Sequence, residues 1–381
     1  MKLTKLSTAL MAGGTMVTAA MTHATEMPMA GAHGTMPAMG TLLEASGIML
    51  SGHVEVGFTQ FLGDSANFRV FDGDYLALTP GQDANSSSFN FNQAAVTIAK
   101  QPKTGAGAVV NLTTGTDADK ISSTGGASGD NFDVTQAFVQ YAAPGFTVMA
   151  GKFVTMAGAE VISSTGNANI SRSFMFGYAI PFAHTGARVQ IPVGENFNIY
   201  AGINNGWDQL TEGDPQGKTG ELCLTFTSGM LALGLVGYSG DEMVDPSLNQ
   251  TERRDLVDAV ATLKLSDALS LVLNYDYGRQ ALGAAGDAEW DGVAGYVNFQ
   301  ANDTVRLSVR TEVFDDRDGA RTGTSQQLKE VTATVGYAVD KSLELATEVR
   351  HDLSNVDSFL DDDGAPDDQQ TSLAIRGLYK F

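Results

Sequence analysis

The chain has 381 residues, a formal net charge of −21 and a single cysteine. So acidic a chain lacks the basic footprint that nucleic-acid binding requires, and one cysteine excludes an intrachain disulfide. Beyond the leader, no run of about 18 apolar residues occurs, so no transmembrane helix is predicted.

The chain opens like an export signal. Lys2 and Lys5 give a positive start, 6–20 is apolar or small, and Thr22-His23-Ala24 is a small-x-small cleavage site. Residues 1–24 therefore read as a signal peptide, because the apolar run is too short and too rich in Gly and Thr to span a bilayer. Residues 25–47 form a Met- and Gly-rich segment on the periplasmic side. Met27, Met29, His33, Met36 and Met39 are weak copper candidates there, since thioethers suit Cu(I); a flexible linker is the plainer reading.

From 48 to 381 the pattern is one of alternating strands. About sixteen candidates emerge from alternation and from breaks at Gly, Pro, Asn, Asp and Ser. They are 48–61, 89–100, 105–114, 132–142, 145–153, 183–191, 196–204, 218–228, 230–239, 254–265, 268–279, 289–300, 303–314, 328–338, 341–352 and 370–381. Their connections alternate strictly between short and long. Outer-membrane barrels have short periplasmic turns and long extracellular loops, whereas a soluble sandwich has no reason to sort its loops in this way. The short turns 265–269, 301–305 and 339–343 carry Asp, Asn or Ser, whose side chains bond to nearby backbone. The predicted fold is an all-β, antiparallel, up-and-down transmembrane barrel. Hydrocarbon leaves no other option to a membrane-bound chain that lacks a helix span; a soluble all-β fold is the alternative.

Alternation is clearest in the last third. Val305, Leu307, Val309 and Val313 oppose Arg306, Ser308, Arg310 and Glu312. The apolar set must face lipid, because arginine in mid-bilayer costs ~2–4 kcal/mol. Glu55, Arg306, Arg310, Glu348, Arg350 and Arg376 thus become pore-wall candidates. Arg306, Arg310 and Arg350 form a basic stripe, and Arg376 is expected to meet Glu55 at the closing seam. Tyr275, Tyr277, Trp290, Phe314 and Tyr379 lie near strand ends, where an interfacial aromatic girdle is expected. The last strand ends on Tyr379 and Phe381, a terminal pattern like the assembly signal of outer-membrane barrels.

The third long loop differs from the others. It carries Phe153, Met156, Ile162, Phe174, Met175, Phe176 and Tyr178, and inside its edges only Glu160 and Arg172 are charged. So apolar a loop is expected to fold into the lumen, with Glu160, Arg172, His184 and Arg188 as constriction candidates. A surface loop for contacts between subunits is the alternative.

The runs 132–141 (FDVTQAFVQY), 151–153 (GKF), 169–173 (NISRS) and 181–188 (PFAHTGAR) resemble the OmpL-like β-barrel porin family. The likeness is tight over about 130–190 and loose elsewhere. It implies a porin and names no substrate. The third loop of general porins narrows the channel, and by analogy this one is given the same role.

The sequence therefore predicts an integral outer-membrane porin of a Gram-negative bacterium, a water-filled channel for passive diffusion of small hydrophilic solutes or ions. Sixteen strands leave such a channel, whereas eight are filled by side chains. Two other functions compete: a sleeve for a periplasmic partner such as an electron carrier, and a copper-handling outer-membrane protein. No enzyme is expected. His53 and Glu55 share a face, but no nucleophile can be placed beside them. No cofactor is expected. The expected partners are outer-membrane lipid and lipopolysaccharide, the barrel assembly machinery, small solutes and further copies of the chain, as in a trimer.

Overall fold

The structure is a computed structural model, and it describes residues 46–62, 87–121, 131–211, 217–245, 250–283, 286–360 and 365–381. The expected signal peptide, 1–24, and the copper candidates Met27, Met29, His33, Met36 and Met39 lie outside the described residues.

Sixteen antiparallel strands close into one barrel. The first eight are β1 (Met49–Phe61), β2 (Ser87–Lys100), β3 (Gly105–Thr114), β4 (Phe132–Ala143), β5 (Phe146–Val154), β6 (Ala183–Val193), β7 (Phe197–Asn204) and β8 (Thr219–Ser228). The second eight are β9 (Leu231–Asp245), β10 (Gln250–Lys264), β11 (Leu269–Ala281), β12 (Asp287–Gln300), β13 (Val305–Asp316), β14 (Gln326–Ala338), β15 (Leu343–Ser354) and β16 (Gln369–Lys380). Each pairs with its neighbours in sequence, and β1 closes on β16 with Val54 opposite Tyr379 and Gly57 opposite Arg376. Closure leaves no unpaired edge, which hydrocarbon would not tolerate. A two-residue ribbon, Phe359–Leu360 with Pro366–Asp367, sits in the last long loop.

The alternation sorts the faces. Ile375 is 59% exposed to the surroundings of the barrel, and its neighbour Arg376 is 1% exposed. The short turns are held as their residue types dictate. Asp340 Oδ1 accepts the N–H groups of Ser342 (2.7 Å) and Leu343 (2.9 Å). Asn302 Oδ1 does the same for Thr304 (2.9 Å) and Val305 (3.0 Å). At the tightest turn Gly229 takes φ 58°, a conformation that costs a side chain.

Two expectations about position are corrected. Trp290 and Phe314 are fully buried and point into the barrel, so they are not part of an outer girdle. Tyr275 and Tyr379 do face outwards. Strands β9 and β10 also run further than predicted, pairing as far as Asp241 opposite Arg253 and beyond. Past the bilayer the ladder continues, but lipid no longer imposes an apolar alternate residue.

The chain end is part of the seam. Phe381 N donates to Gly52 O and Gly52 N donates to Phe381 O, both at 3.0 Å. A side chain on Gly52 would meet the Phe381 ring at 2.5 Å and the Ala95 carbonyl oxygen at 2.6 Å. Deleting Phe381 removes two closing hydrogen bonds, and Gly52→Val forces ring and backbone apart. Both variants are expected to be exported and to accumulate largely unfolded. The fraction of heat-modifiable barrel in outer-membrane preparations measures this, and normal folded yield of either variant would contradict it.

Candidate functional site

The third long loop, 155–182, leaves β5 and enters the barrel. Its stems meet, with Thr155 N donating to Phe182 O at 3.0 Å. Inside, Met156, Ile162, Phe174, Met175, Phe176, Tyr178 and Ile180 are all buried and pack in one cluster with Tyr238, Leu256, Trp290, Tyr296, Phe314 and Leu328 of the wall. Burying a side chain of this size is worth about 1.5–3 kcal/mol at most. Ile121, from the short helix α1 (Thr116–Ile121) in the second long loop, joins the same cluster, as does Phe359 from the last.

A loop at membrane depth must also satisfy its backbone. Here the charged side chains of the wall act as the missing strand. Glu348 accepts the N–H groups of Ile170 (2.6 Å) and Ser171 (3.0 Å), and Glu312 those of Phe174 (2.5 Å) and Met175 (3.0 Å). Ser173 N donates to Glu160 of the loop itself at 2.7 Å. The carbonyls take arginines: Arg310 reaches Ser171 O (2.7 Å), Arg350 reaches Arg172 O (2.6 Å), and Arg306 reaches Ala168 O. The stems are pinned from the neighbouring loop. Asp208 accepts the N–H groups of Phe182 (2.7 Å) and Ala183 (2.9 Å), and burial pushes its carboxyl up to about 6. It adopts φ 54°, which aspartate tolerates better than most residues.

The wall arginines are therefore covered. Arg310 donates to Glu160 (2.6 Å) and Glu330 (2.6 Å) and is fully buried. Arg350 pairs with Asp352 (2.7 Å) and lies over the Phe174 ring at 4.7 Å. Glu344 bridges Arg306 (2.8 Å) and Arg376 (3.0 Å). This corrects the expected Arg376–Glu55 contact, because Glu55 accepts instead from Asn92 at 3.2 Å. The basic stripe holds the loop: Arg310 and Arg350 are fully buried, and Arg306 is partly exposed.

Of the four constriction candidates, Glu160 alone lines the open space. Arg172 turns back on its own loop, donating to the carbonyls of Val161, Ile162 and Ile170 at 3.0–3.1 Å. Arg188 is bidentate to Glu221 (2.5 and 3.0 Å) and stacks over Phe153. His184 Nδ1 lies 3.1 Å from Gly206 O.

The space left is a cavity of about 350 Å³ between the loop and the wall of β1–β5. It runs from Ser51 and Phe381 near the short-turn end to Thr113, Gln136 and Val154 towards the long-loop end.

The family model described as "Putative beta-barrel porin-2, OmpL-like" matches residues 47–381, the whole barrel. The chain belongs to this porin family. It is an integral β-barrel channel of the outer membrane. Solved porins share its fold at low sequence identity. The outer membrane channel DcaP of Acinetobacter baumannii superposes with a TM-score of 0.61 at 10% identity, over 88% of this chain and 97% of that one. An anion-selective porin from Comamonas acidovorans gives 0.60 at 12%, over 88% and 99%. OmpT of Vibrio cholerae, in a trimer form, gives 0.55 at 12%, over 88% and 99%. No protein of curated function matches the sequence.

Several residues of this porin's site escape a reading by alternation. Gln93 binds the loop twice, donating to Ile162 O (3.0 Å) and accepting from Ser164 N (3.1 Å). It follows Asn92, and both are buried, because the register with β1 slips between Glu55 and Gly57. A similar slip opposite Asn111 and Leu112 brings Thr135 and Gln136 together at the cavity. A β-bulge lets two successive residues face one way, and strict alternation hides one of them.

Proposed function

We propose that this porin passes small hydrophilic solutes and ions by passive diffusion along the β1–β5 wall, with the third loop as the constriction. The observation that carries this reading is the cavity left between β1–β5 and a loop anchored mainly to the opposite wall. The short turns face the periplasm and the long loops face outwards, as in other outer-membrane barrels. Epitope tags in 62–88 and 353–369 are then reachable on intact cells, and labelling only after permeabilisation would reverse the orientation. As in the trimer form of OmpT, we read the barrel as associating with further copies of itself; a monomeric mass in mild detergent would contradict this.

The ion preference follows from where charge is cancelled. Arg188, Arg310, Arg350 and Arg376 each pair with a carboxylate inside the barrel. The buried interior holds more carboxylates than cations, and we read the rest of the chain's excess of 44 acidic over 23 basic residues as acting from the loops. Charge at the mouth is screened beyond ~8–10 Å in physiological salt. Selectivity is expected to be weak at high salt and to favour cations at low salt, where an acidic mouth concentrates them. Single-channel conductance and reversal potentials across a salt gradient in planar bilayers measure both. Absence of conducting steps would refute the channel reading, and strong selectivity persisting at high salt would place the selecting charge in the lumen.

A further inference from the structure

We propose that the passage favours uncharged solutes that combine several hydroxyl or amide groups with an apolar ring face, as a pyranose sugar does, over charged solutes of equal size. This deepens the diffusion reading and rests on it.

The cavity has two unlike faces. The wall face is made of Thr97, Asn111, Thr113, Thr135 and Gln136. Asn111 Nδ2 donates to Thr97 Oγ1 (2.7 Å), and Thr135 Oγ1 donates to Thr113 Oγ1 (2.6 Å). These bonds fix the side chains across β2, β3 and β4. Each hydroxyl has one donor and two acceptor sites, and each amide has two of both, so capacity remains for a solute. The register slip in β4 sharpens this face, because it places Thr135 and Gln136 side by side on the cavity. The opposite face is the loop, where Ala157, Val161, Ile162, Phe176 and Phe182 make an apolar patch flanked by Thr155, Glu160, Ser163 and Thr165.

Charge is almost absent between these faces. Among the described lining residues the side-chain carboxylate and ammonium groups are Glu160 and Lys380, and the one imidazole is His53; Phe381 adds its main-chain carboxylate at the short-turn end. Glu160 is spent: one oxygen takes Arg310 and the other takes Ser173 N. His53 Nε2 lies 2.6 Å from Gln93 Oε1. Lys380 stands at the short-turn end of β16, at the far end of the cavity from Thr113 and Gln136. None of the other ion pairs of the lumen lines the cavity; the Lys152–Asp133 pair stands behind Thr135 and Val154 on the same wall, and Glu55, Arg172 and Arg376 lie within electrostatic reach of His53.

The consequence is physical. An ion entering the narrow part sheds water and meets no counter-charge, and a desolvated unpaired charge is expensive. A neutral polyol exchanges its water hydrogen bonds for those of the threonines and amides at little net cost. Its apolar ring face then covers the apolar side chains of the loop. Both faces of the slot are matched by one solute class.

The test is solute entry into proteoliposomes at mildly acidic pH, where the glucosamine amine is protonated, with glucose, glucuronate and glucosamine as probes. The three share a pyranose ring and differ in charge. Glucose is expected to enter at least several-fold faster than either ion, and to reduce single-channel ion current in a saturable way. Gln136→Glu keeps the acceptor for Val154 N, at 3.4 Å in the wild type, and adds a charge to the hydroxyl face. It is expected to erase most of the advantage of glucose over glucosamine and to leave the folded yield unchanged. Equal entry of all three probes through channels that conduct salt, or faster entry of an ion, would overturn the proposal while the diffusion reading stands. Loss of both salt conductance and solute entry in the folded wild type would remove the diffusion reading, and the proposal with it.

Discussion

A variant lacking 157–180 is expected to conduct ions several-fold better than the full chain. The deletion is geometrically mild. The stems already touch through Thr155 N and Phe182 O, so a short polar turn bridges them without moving β5 or β6. What it removes is most of the lumen's filling, and a bare sixteen-strand barrel holds an aqueous channel. There is a cost in stability, because Trp290, Tyr296, Phe314 and Leu328 lose their apolar cover. The strand ladders remain complete, so the variant should still be heat-modifiable, with a lower unfolding temperature. Single-channel recordings decide the matter. Unchanged conductance from a folded deletion variant would mean that the loop does not narrow the path.

The largest effect of a single substitution is expected at Arg310. Its guanidinium donates to Glu160, Glu330, Thr332, the Ser171 carbonyl and the Ser171 hydroxyl, all within 2.6–3.4 Å. Arg310→Met leaves Glu160 with no cation and Glu330 with only Arg350, at 4.0 Å, and breaking such a buried pair from one side costs about 3–5 kcal/mol. The third loop then loses its central anchor. The expected readouts are a lower unfolding temperature and a noisy, larger single-channel current as the loop detaches intermittently. Arg310→Lys should fall between, since an ammonium has three donors where arginine has five in a planar fork. Adding Glu160→Gln and Glu330→Gln to Arg310→Met should restore part of the stability, because the penalty lies in the unpaired charges more than in the lost bonds. Failure of Arg310→Met to change either readout would show that the apolar packing alone holds the loop.

These two experiments probe different layers of one design. The deletion tests whether the loop is the constriction, and the arginine tests what keeps it there. In this porin the charged ladder on β13–β16 is consumed as scaffold. That leaves solute contact to the uncharged wall opposite.

The strands were legible in the sequence because their cause is local. One side of each strand meets lipid and the other does not, so the alternation of Val305, Leu307 and Val309 with Arg306, Ser308 and Arg310 fixes both the element and its inner face. Trp290 and Phe314 lie near strand ends, as girdle residues do, but their parity along the strand puts them inside. Trp290 lies two and four residues from Gly292 and Ala294, on the inner side. Where lipid stops, the signal stops, and the outer extensions of β9 and β10 went unread. The bulges at Asn92–Gln93 and Thr135–Gln136 shift the parity by one, and nothing in a single sequence marks them.

The sequence by itself determined a closed barrel of sixteen strands, its lipid and lumen faces, and a third loop too apolar to remain in solvent. Only the tertiary structure decided which lumen residues touch water. Arg310 meets Glu160 across 150 positions and Glu348 meets Ile170 across 178. Such contacts depend on the path of one irregular loop through space, and no periodicity encodes that path. The loop took its partners from the charged wall because its unpaired N–H and carbonyl groups had to be satisfied away from water. The neutral wall was left to the channel.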